Sequence, residues 1–549
     1  MAEHDLWSIA FPTLEEAQIA ELSRCLEATT TSYRDGETLF AVGQRDFKFH
    51  VIESGEVEIM DYSGDVPKTV TIHRKGGFTG DISHLTGNPS VVSGVAKGDV
   101  QVYEISRDAL RQALNQCPIL SDIILQAFIA RRQLLHKSPD FIGLRVIGSR
   151  YSADTFRVRD FLAKNRVLFT WVDVETDPQV DGLLKQFGVT EADTPVVACS
   201  TMLLLRNPSN RQLADRIGIR QPLEQTVYDL TVVGGGPAGL AAAVYGASEG
   251  LRTLVLDRTA PGGQAGSSMR IENYLGFPTG LTGSELTDRA IIQANKFGAR
   301  LAIATPVTGL MFDKTYPVVH LDGGETVTTK CLLIATGVDY SRLAVEGCEQ
   351  FEGRGVYYAA TVTEAQLCRG QQVVMVGGGN SAGQAAVFLA QHAAQVLLLI
   401  RGHDLYKDMS SYLVKRIEQT ANIEVLSNTT IQRMRGDGHL GALDTLNSKT
   451  GKEQTIETSA VFSFIGAVPR TDWLPSEIER DAHGFIRTGT ALAASPHWTG
   501  RRQPFLLETS RAGVFAAGDV RSDSVKRVAS AVGEGAMAVR FVHEYLKEM

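Results

Sequence analysis

Short runs of alternating apolar and polar residues, cut by glycine, fill the chain to about Lys137. DGETLFAVG, FKFHVIESGEVEIMDYSGD, KTVTIHRKGG and SVVSGVAKGDVQVYEI have this pattern. Period-two alternation between glycine turns predicts a β-roll or barrel. The apolar positions then change to helical spacing in RDALRQALNQ and in the long amphipathic ILSDIILQAFIARRQLLHK. A break at Ser138–Asp140 leads to the strand LRVIGS, the helix DTFRVRDFLAKN, the strand LFTWVDV and the helix PQVDGLLKQFG. TPVVAC and NPSNRQLADRIGI complete a βαβαββα order over residues 141–220. From Val227 onward two strand-like runs, YDLTVV and QQVVMV, each meet a glycine cluster and then an Ala-rich helical stretch.

Those two clusters carry the candidate chemistry. GGGPAG spans Gly234, Gly236, Pro237, Ala238 and Gly239, and GGGNSA spans Gly377, Gly379, Asn380, Ser381 and Ala382. Glycine permits a tight turn and close approach of backbone to a pyrophosphate, whose charge the helix N-terminus receives. One such motif is weak. Two copies, each between strand and helix, predict two bound dinucleotides and an α/β architecture of two Rossmann-like domains, one inserted in the other. The economical chemistry is hydride transfer from nicotinamide to flavin.

Length and charge narrow the picture further. At 549 residues, 43% hydrophobic and 21% charged, the chain has the composition of a multidomain globular protein. The net charge of −8, with no basic block, argues against nucleic acid as the main partner. No apolar run approaches a membrane span of roughly 20 residues, and the acidic N-terminus is unlike a signal peptide. Six widely spaced cysteines (Cys25, Cys117, Cys199, Cys331, Cys348 and Cys368) form no CxxC pair and no metal-ligand spacing. The expectation is a cytoplasmic protein without a metal.

Family resemblances sharpen the residue assignments. The first fingerprint, then Asp257 near the roughly 20-residue spacing of a ribose-binding acid, GGQ with Gly263 and Gln264, IENYLGFP with Asn273, LLIATG with Ala335, Thr336 and Gly337, and GVFAAGDVR with Gly518 and Asp519 follow in order. This series resembles the FAD half of bacterial low-molecular-weight thioredoxin reductases. The resemblance implies Asp519 at the phosphoribityl chain of FAD, and Gln264 and Asn273 near the isoalloxazine. It also implies a homodimer, and an NADPH domain that rotates against the FAD domain. After the second fingerprint the strand QVLLLIRG ends on Arg401, not on an acid, with Lys407 beyond it. A cation there suits the 2′-phosphate of NADPH, and a solvated strand-end residue is the competing reading. The family carries a CATC segment in a context like GVxYCATCDG; GVYYAATVTE (Gly355–Glu364) places Ala359 and Val362 at the two thiols.

The outer modules resemble other families. Residues 1–137 resemble a cyclic-nucleotide-binding domain, with its GETLFxxG opening, IESGEVEI hairpin and closing helix. In GDISHLTGNPSVVS, Asp81 stands for the ribose-binding Glu and Ser90 for the phosphate-binding Arg. Loss of that charged contact costs about 2–3 kcal/mol, which implies altered or lost cyclic-nucleotide binding. Residues 141–220 resemble a glutaredoxin or thioredoxin fold with a cis-proline turn at Thr194-Pro195, but RYSADTF (Arg150–Phe156) lacks the cysteine pair. The remaining divisions are an FAD domain over 227–340 and 465–549, and an NADPH domain over 341–464. The leading expectation is an NADPH-dependent FAD oxidoreductase handing electrons directly to an unidentified acceptor. The alternative is a flavin-based redox or ligand sensor signalling through its N-terminal modules.

Overall fold

A computed structural model describes residues 3–25, 29–63, 66–137, 143–199, 203–313, 316–493, 495–498 and 502–549. The expected break at Ser138–Asp140 and the side chain of Cys25 lie outside the described residues.

The larger dinucleotide fold is built on a central parallel sheet. Strands Arg300–Ala302, Thr253–Leu256, Tyr228–Val233, Thr326–Ile334 and Val514–Ala516 run parallel, and an antiparallel pair (Val307–Phe312, Pro317–Leu321) extends the edge. Residues buried on both faces, such as Leu230, Val232, Leu254 and Leu333, explain the continuous apolar runs of these strands. The smaller fold has five parallel strands in the order Val356–Tyr357, Val461–Ser463, Gln372–Val376, Gln395–Leu399, Ile423–Leu426. The two crossover segments pair antiparallel, Val338 opposite Pro469 and Asp339 opposite Val468. The chain therefore leaves and re-enters the larger fold through one two-stranded ribbon.

Backbone contact fixes the first fingerprint. A Cβ on Gly239 would lie 1.9 Å from the Gly234 carbonyl oxygen, and one on Gly234 would lie 2.3 Å from that of Ala335. The helix Pro237–Ser248, with Pro237 in its first turn, therefore sits directly on the strand turn. From the other side the C-terminal helix Val528–Glu548 presses against it at Gly535, where a Cβ would lie 2.0 Å from the Ala238 carbonyl oxygen. Glycine at these positions replaces side-chain packing with direct backbone contact.

The N-terminal sheet has the strand order Thr29–Tyr33, Ser93–Ile105, Phe49–Asp61, Lys68–His73, with Thr38–Phe40 also on Ser93–Ile105. The expected IESGEVEI hairpin is absent. Phe49–Asp61 is one strand whose register shifts on either side of Ser54. A Cβ on Gly55, at φ 82°, would lie 2.4 Å from the Asp99 carbonyl oxygen, and the register steps from Ser54 opposite Gln101 to Glu56 opposite Lys97, so the pairing bulges and the strand continues along its partner instead of reversing. The long helix Pro118–Lys137 buries Leu120, Ile124, Ala127, Phe128 and Ala130. Its apolar stripe meets the core of its own β-roll and the helix Glu3–Ala10.

The middle segment has the expected order of elements. Phe169–Val172 and Leu144–Ile147 are parallel, and Val196–Cys199 and Leu203–Arg206 add antiparallel. Thr194-Pro195 is cis.

Gly535→Ala is expected to force the two helices apart. Overpacking of this kind costs about 1–3 kcal/mol and should lower the thermal midpoint by roughly 2–4 °C per kcal/mol, with loss of bound flavin in the same transition. An unchanged midpoint with full flavin retention would show that the helices do not need this contact.

Candidate active site

The first fingerprint and the GGQ turn meet backbone to backbone, and the crevice proposed for a dinucleotide lies along their shared glycine edge. Gly262 donates its N–H to the Gly235 carbonyl oxygen at 2.7 Å. Gly263 faces Gly236 so closely that a Cβ on Gly263 would lie 2.9 Å from the Gly236 Cα. Gly236 precedes the first helical turn, so backbone amides of Ala238 and Gly239 remain for an anion. Gly518, at φ 77°, brings the start of GDVR to the same helix end, 3.1 Å from the Ala238 Cβ by the position of its own missing Cβ. Its N–H donates to Glu534, which also pairs with Arg521 (2.7 Å). Asp519 is partly sheltered, and burial together with nearby Glu534 raises its pKa. These features suit a dinucleotide pyrophosphate with a hydroxyl-bearing chain beside it.

Asp257 has a role that the sequence did not reveal. Its carboxylate accepts from the N–H of Gly235 (2.8 Å), Thr259 (2.8 Å) and Ala260 (2.9 Å). It therefore ties the fingerprint to the segment entering the GGQ turn, and burial pushes its pKa up despite the three donors. A carboxylate has about four lone-pair directions, so one remains for a ribose hydroxyl. The Gln264 amide donates to the Val338 carbonyl oxygen at 2.5 Å, and the Thr336 hydroxyl to that of Arg470 at 3.0 Å. Both bind the crevice to the crossover ribbon. Asn273 is exposed in the loop between Ile271 and Leu281. Next to it, Glu272 takes a forked pair of hydrogen bonds from Arg416 of the smaller fold (2.7 and 3.2 Å).

The second fingerprint repeats the geometry. Gly377, at φ 146°, packs against Phe464 and Ala382, and Gly379 precedes the helix Asn380–Leu389. The Asn380 side chain accepts from the Ser410 N–H at 2.8 Å, which pins the segment carrying Arg401 and Lys407 over this helix end. Both cations are exposed and free to meet a phosphate from solvent. Sequence reasoning missed Tyr340. Its ring meets Phe464 edge-on at 4.9 Å between centroids, and burial together with the field of Asp519 raises its pKa, with Ser381 close enough to oppose the shift. One tyrosine thus sits between the two fingerprints.

Val362 opens the helix Val362–Leu367, capped by Thr361, which donates its N–H and hydroxyl to Glu364 (2.8 and 2.5 Å) and accepts from the Thr363 N–H at 3.2 Å. Glu364 is fully buried, which pushes its carboxyl up. Ala359 is half-buried just before the helix and Val362 is 54% exposed. Cys368, 1% exposed, is pushed up to about 12 by burial and by Glu364.

In the β-roll, the segment expected to meet a cyclic phosphate is closed on itself. The Ser90 hydroxyl donates to the Val92 carbonyl oxygen at 2.7 Å, and Asp81 accepts from the Ser83 N–H at 2.9 Å. Inside the roll Phe40 stacks on Phe47 and on His50, and Phe47 meets His84 edge-on at 4.1 Å. Burial holds His50 and His84 at about 4. Glu104, Lys48 and His84 face His50, while Asp81 and Arg131 face His84.

Comparison with known proteins agrees with this layout. The pyridine nucleotide-disulphide oxidoreductase family matches residues 228–535, and the cyclic nucleotide-binding domain family matches residues 30–117. The thioredoxin reductase of Bacillus subtilis (strain 168) is 32% identical over 327 residues, spanning 59% of this chain and 97% of that protein. That of Treponema pallidum (strain Nichols) is 33% identical over 323 residues, 59% of this chain and 98% of its own. Among solved structures, Lactococcus lactis thioredoxin reductase in its FR conformation aligns with a TM-score of 0.53 at 28% identity. It covers 59% of this chain and all (100%) of its own. The T. acidophilum thioredoxin reductase aligns with a TM-score of 0.52 at 29% identity, over 58% of this chain and 98% of its own.

The buried histidines set an acid limit on the β-roll. Their folded pKa near 4 lies below the unfolded value of about 6.5. The unfolded chain therefore binds more protons between those values, and stability is lost as pH falls through that window. Thermal melts at pH 7 and pH 5 should show a steeper loss for the native chain than for a His50→Gln/His84→Gln double variant. Parallel losses would mean that the acid sensitivity arises elsewhere.

Proposed function

Because the chain belongs to the pyridine nucleotide-disulphide oxidoreductase family, as an FAD-dependent NAD(P)H oxidoreductase of the thioredoxin-reductase-like kind, we propose that it delivers electrons to an external acceptor without a protein dithiol. The segment Gly355–Glu364 carries this reading. Ala359 and Val362 occupy the places that the family resemblance assigns to the thiols, and neither side chain can attack or resolve a disulfide. Cys368 follows nearby, but as a buried thiol whose pKa is raised it lacks the thiolate character that exchange needs. The middle domain offers no substitute, since Ser149–Thr155 beside Pro195 contains no cysteine.

Bound FAD supplies the electron-accepting and electron-donating chemistry. The residues proposed to hold it are Gly234, Gly236, Ala238, Gly239, Asp257, Gly263, Gln264, Asn273, Gly518 and Asp519. Gly377, Gly379, Asn380, Ser381, Arg401 and Lys407 would hold NADPH. Tyr340 joins this set as the side chain between the two nucleotide sites. The acceptor must then reach the flavin side of the crevice itself, and homodimerisation belongs to the same proposal.

Two experiments decide the matter. Arg401→Ala should weaken NADPH binding by about 1.5–3 kcal/mol with little change for NADH, as for the loss of one charged phosphate contact. Equal losses for both coenzymes would make Arg401 structural.

The yellow protein should also sustain NADPH oxidation with an acceptor such as a quinone, a free flavin or oxygen while failing to reduce thioredoxin. A variant with all six cysteines replaced by serine or alanine should keep that turnover. Loss of acceptor reduction alone, with flavin reduction intact, would overturn the reading. A single slow reduction without turnover would favour a sensor.

A further inference from the structure

The GGQ turn is held from outside its own domain. The helix Ala153–Lys164 of the middle domain ends beside it. Asn165 donates to the Thr259 carbonyl oxygen at 3.1 Å. Arg166, at φ 56°, sends its guanidinium to three groups of the FAD domain. Nη1 donates to the Pro261 carbonyl oxygen (2.8 Å), Nη2 to the Thr287 hydroxyl (2.9 Å), and Nε pairs with Asp288. Its side chain is 21% exposed, and a Cβ on Gly262 would lie 3.2 Å from Nη2. Residues 257–263 are therefore gripped on the inner side by Asp257 and on the outer side by Asn165 and Arg166.

Arg166 is itself restrained by the β-roll. Its carbonyl oxygen accepts from Arg132 Nη2 at 2.5 Å, and Arg132 Nη1 lies 3.7 Å from the Asp81 carboxylate. Asp81 belongs to the segment expected to bind a cyclic nucleotide, and its Oδ2 is buried with no hydrogen-bond partner among the described residues. A long ion pair from Asp81 to Arg132 and a hydrogen bond from Arg132 to the Arg166 carbonyl thus connect the β-roll to the GGQ turn.

We infer that Arg166 is a positioning residue for bound FAD, and that Arg132 of the β-roll acts on the flavin site through it. The planar fork reaches three acceptors spread around it from separate nitrogens, whereas a lysine concentrates its three donors on one atom and cannot span them. The inference rests on the flavoprotein reading, and its test separates the two. FAD release from the full-length holoenzyme is followed by flavin fluorescence after dilution, and hydrogen exchange of residues 259–266 is followed in parallel. Arg166→Ala should speed release about tenfold, the size expected for one charge-assisted contact. Exchange should rise at 259–266 while the strand Tyr228–Val233 keeps its protection. Arg166→Lys should recover only part of the loss, and Asp288→Asn should shift both readouts in the same direction. Arg132→Ala should speed release in the native background and have no effect in the Arg166→Ala background. Release within twofold of wild type for Arg166→Ala, full rescue by lysine, or exchange raised throughout the sheet would overturn the positioning role. Equal effects of Arg132→Ala in both backgrounds would overturn the relay. If the wild-type protein retains no FAD, the flavoprotein reading fails, and the exchange comparison still decides whether Arg166 holds the turn.

Discussion

Everything in the catalytic half depends on how closely three pieces of backbone approach at the start of the helix Pro237–Ser248. Gly239 against the Gly234 carbonyl, Gly234 against that of Ala335, and Gly535 against that of Ala238 leave no room for a Cβ. Direct backbone contact locks the helix N-terminus above the strand ends, where its unpaired amides face the crevice. Gly518 and the GGQ turn can close around that point only because it is fixed.

The middle domain turns this rigid half into a larger unit. The helix Ala153–Lys164 touches both dinucleotide folds. Near its start Phe156 packs on Tyr357 at 5.1 Å between ring centroids, and Arg159 donates to Gln366 at 2.8 Å. The Arg159 guanidinium also lies 3.6 Å from the Trp171 ring centroid. At its end Asn165 and Arg166 grip the FAD domain. Arg416 on Glu272 and Tyr340 against Phe464 add two further ties between the nucleotide folds. Rotation of one fold against the other, which the family resemblance led us to expect, would have to break these contacts together. In this arrangement the helix bearing Val362 lies beneath the middle domain, with Trp171 and Phe156 packed against its core.

The chemistry follows from what remains polar and accessible. The thiols that the described residues reveal are mostly buried, and where their titration is perturbed it is shifted away from thiolate. Arg401 and Lys407, the cations proposed to meet the charged nucleotide, both face solvent. Burial keeps His50 and His84 uncharged among the aromatic rings of the β-roll, while Ser90 bonds its own backbone.

The sequence by itself determined the parts governed by local rules. Strand–glycine–helix spacing located both fingerprints, alternation located the β-roll strands, and the βαβαββα order marked the middle domain. Each of these follows from backbone sterics or side-chain period within a few residues. The missing CxxC was equally plain, because absence of a thiol needs no coordinates. Tertiary structure decided the rest. Asp257 reads as a ribose ligand from its spacing, yet its three amide partners lie on two turns that only folding brings together. The IESGEVEI segment reads as a hairpin from its central glycine, yet contact with Asp99 on a distant strand makes it a bulge. Tyr340 and Arg166 carry no motif at all. Their positions depend on contacts between domains distant in sequence, and no local pattern encodes which surfaces will meet.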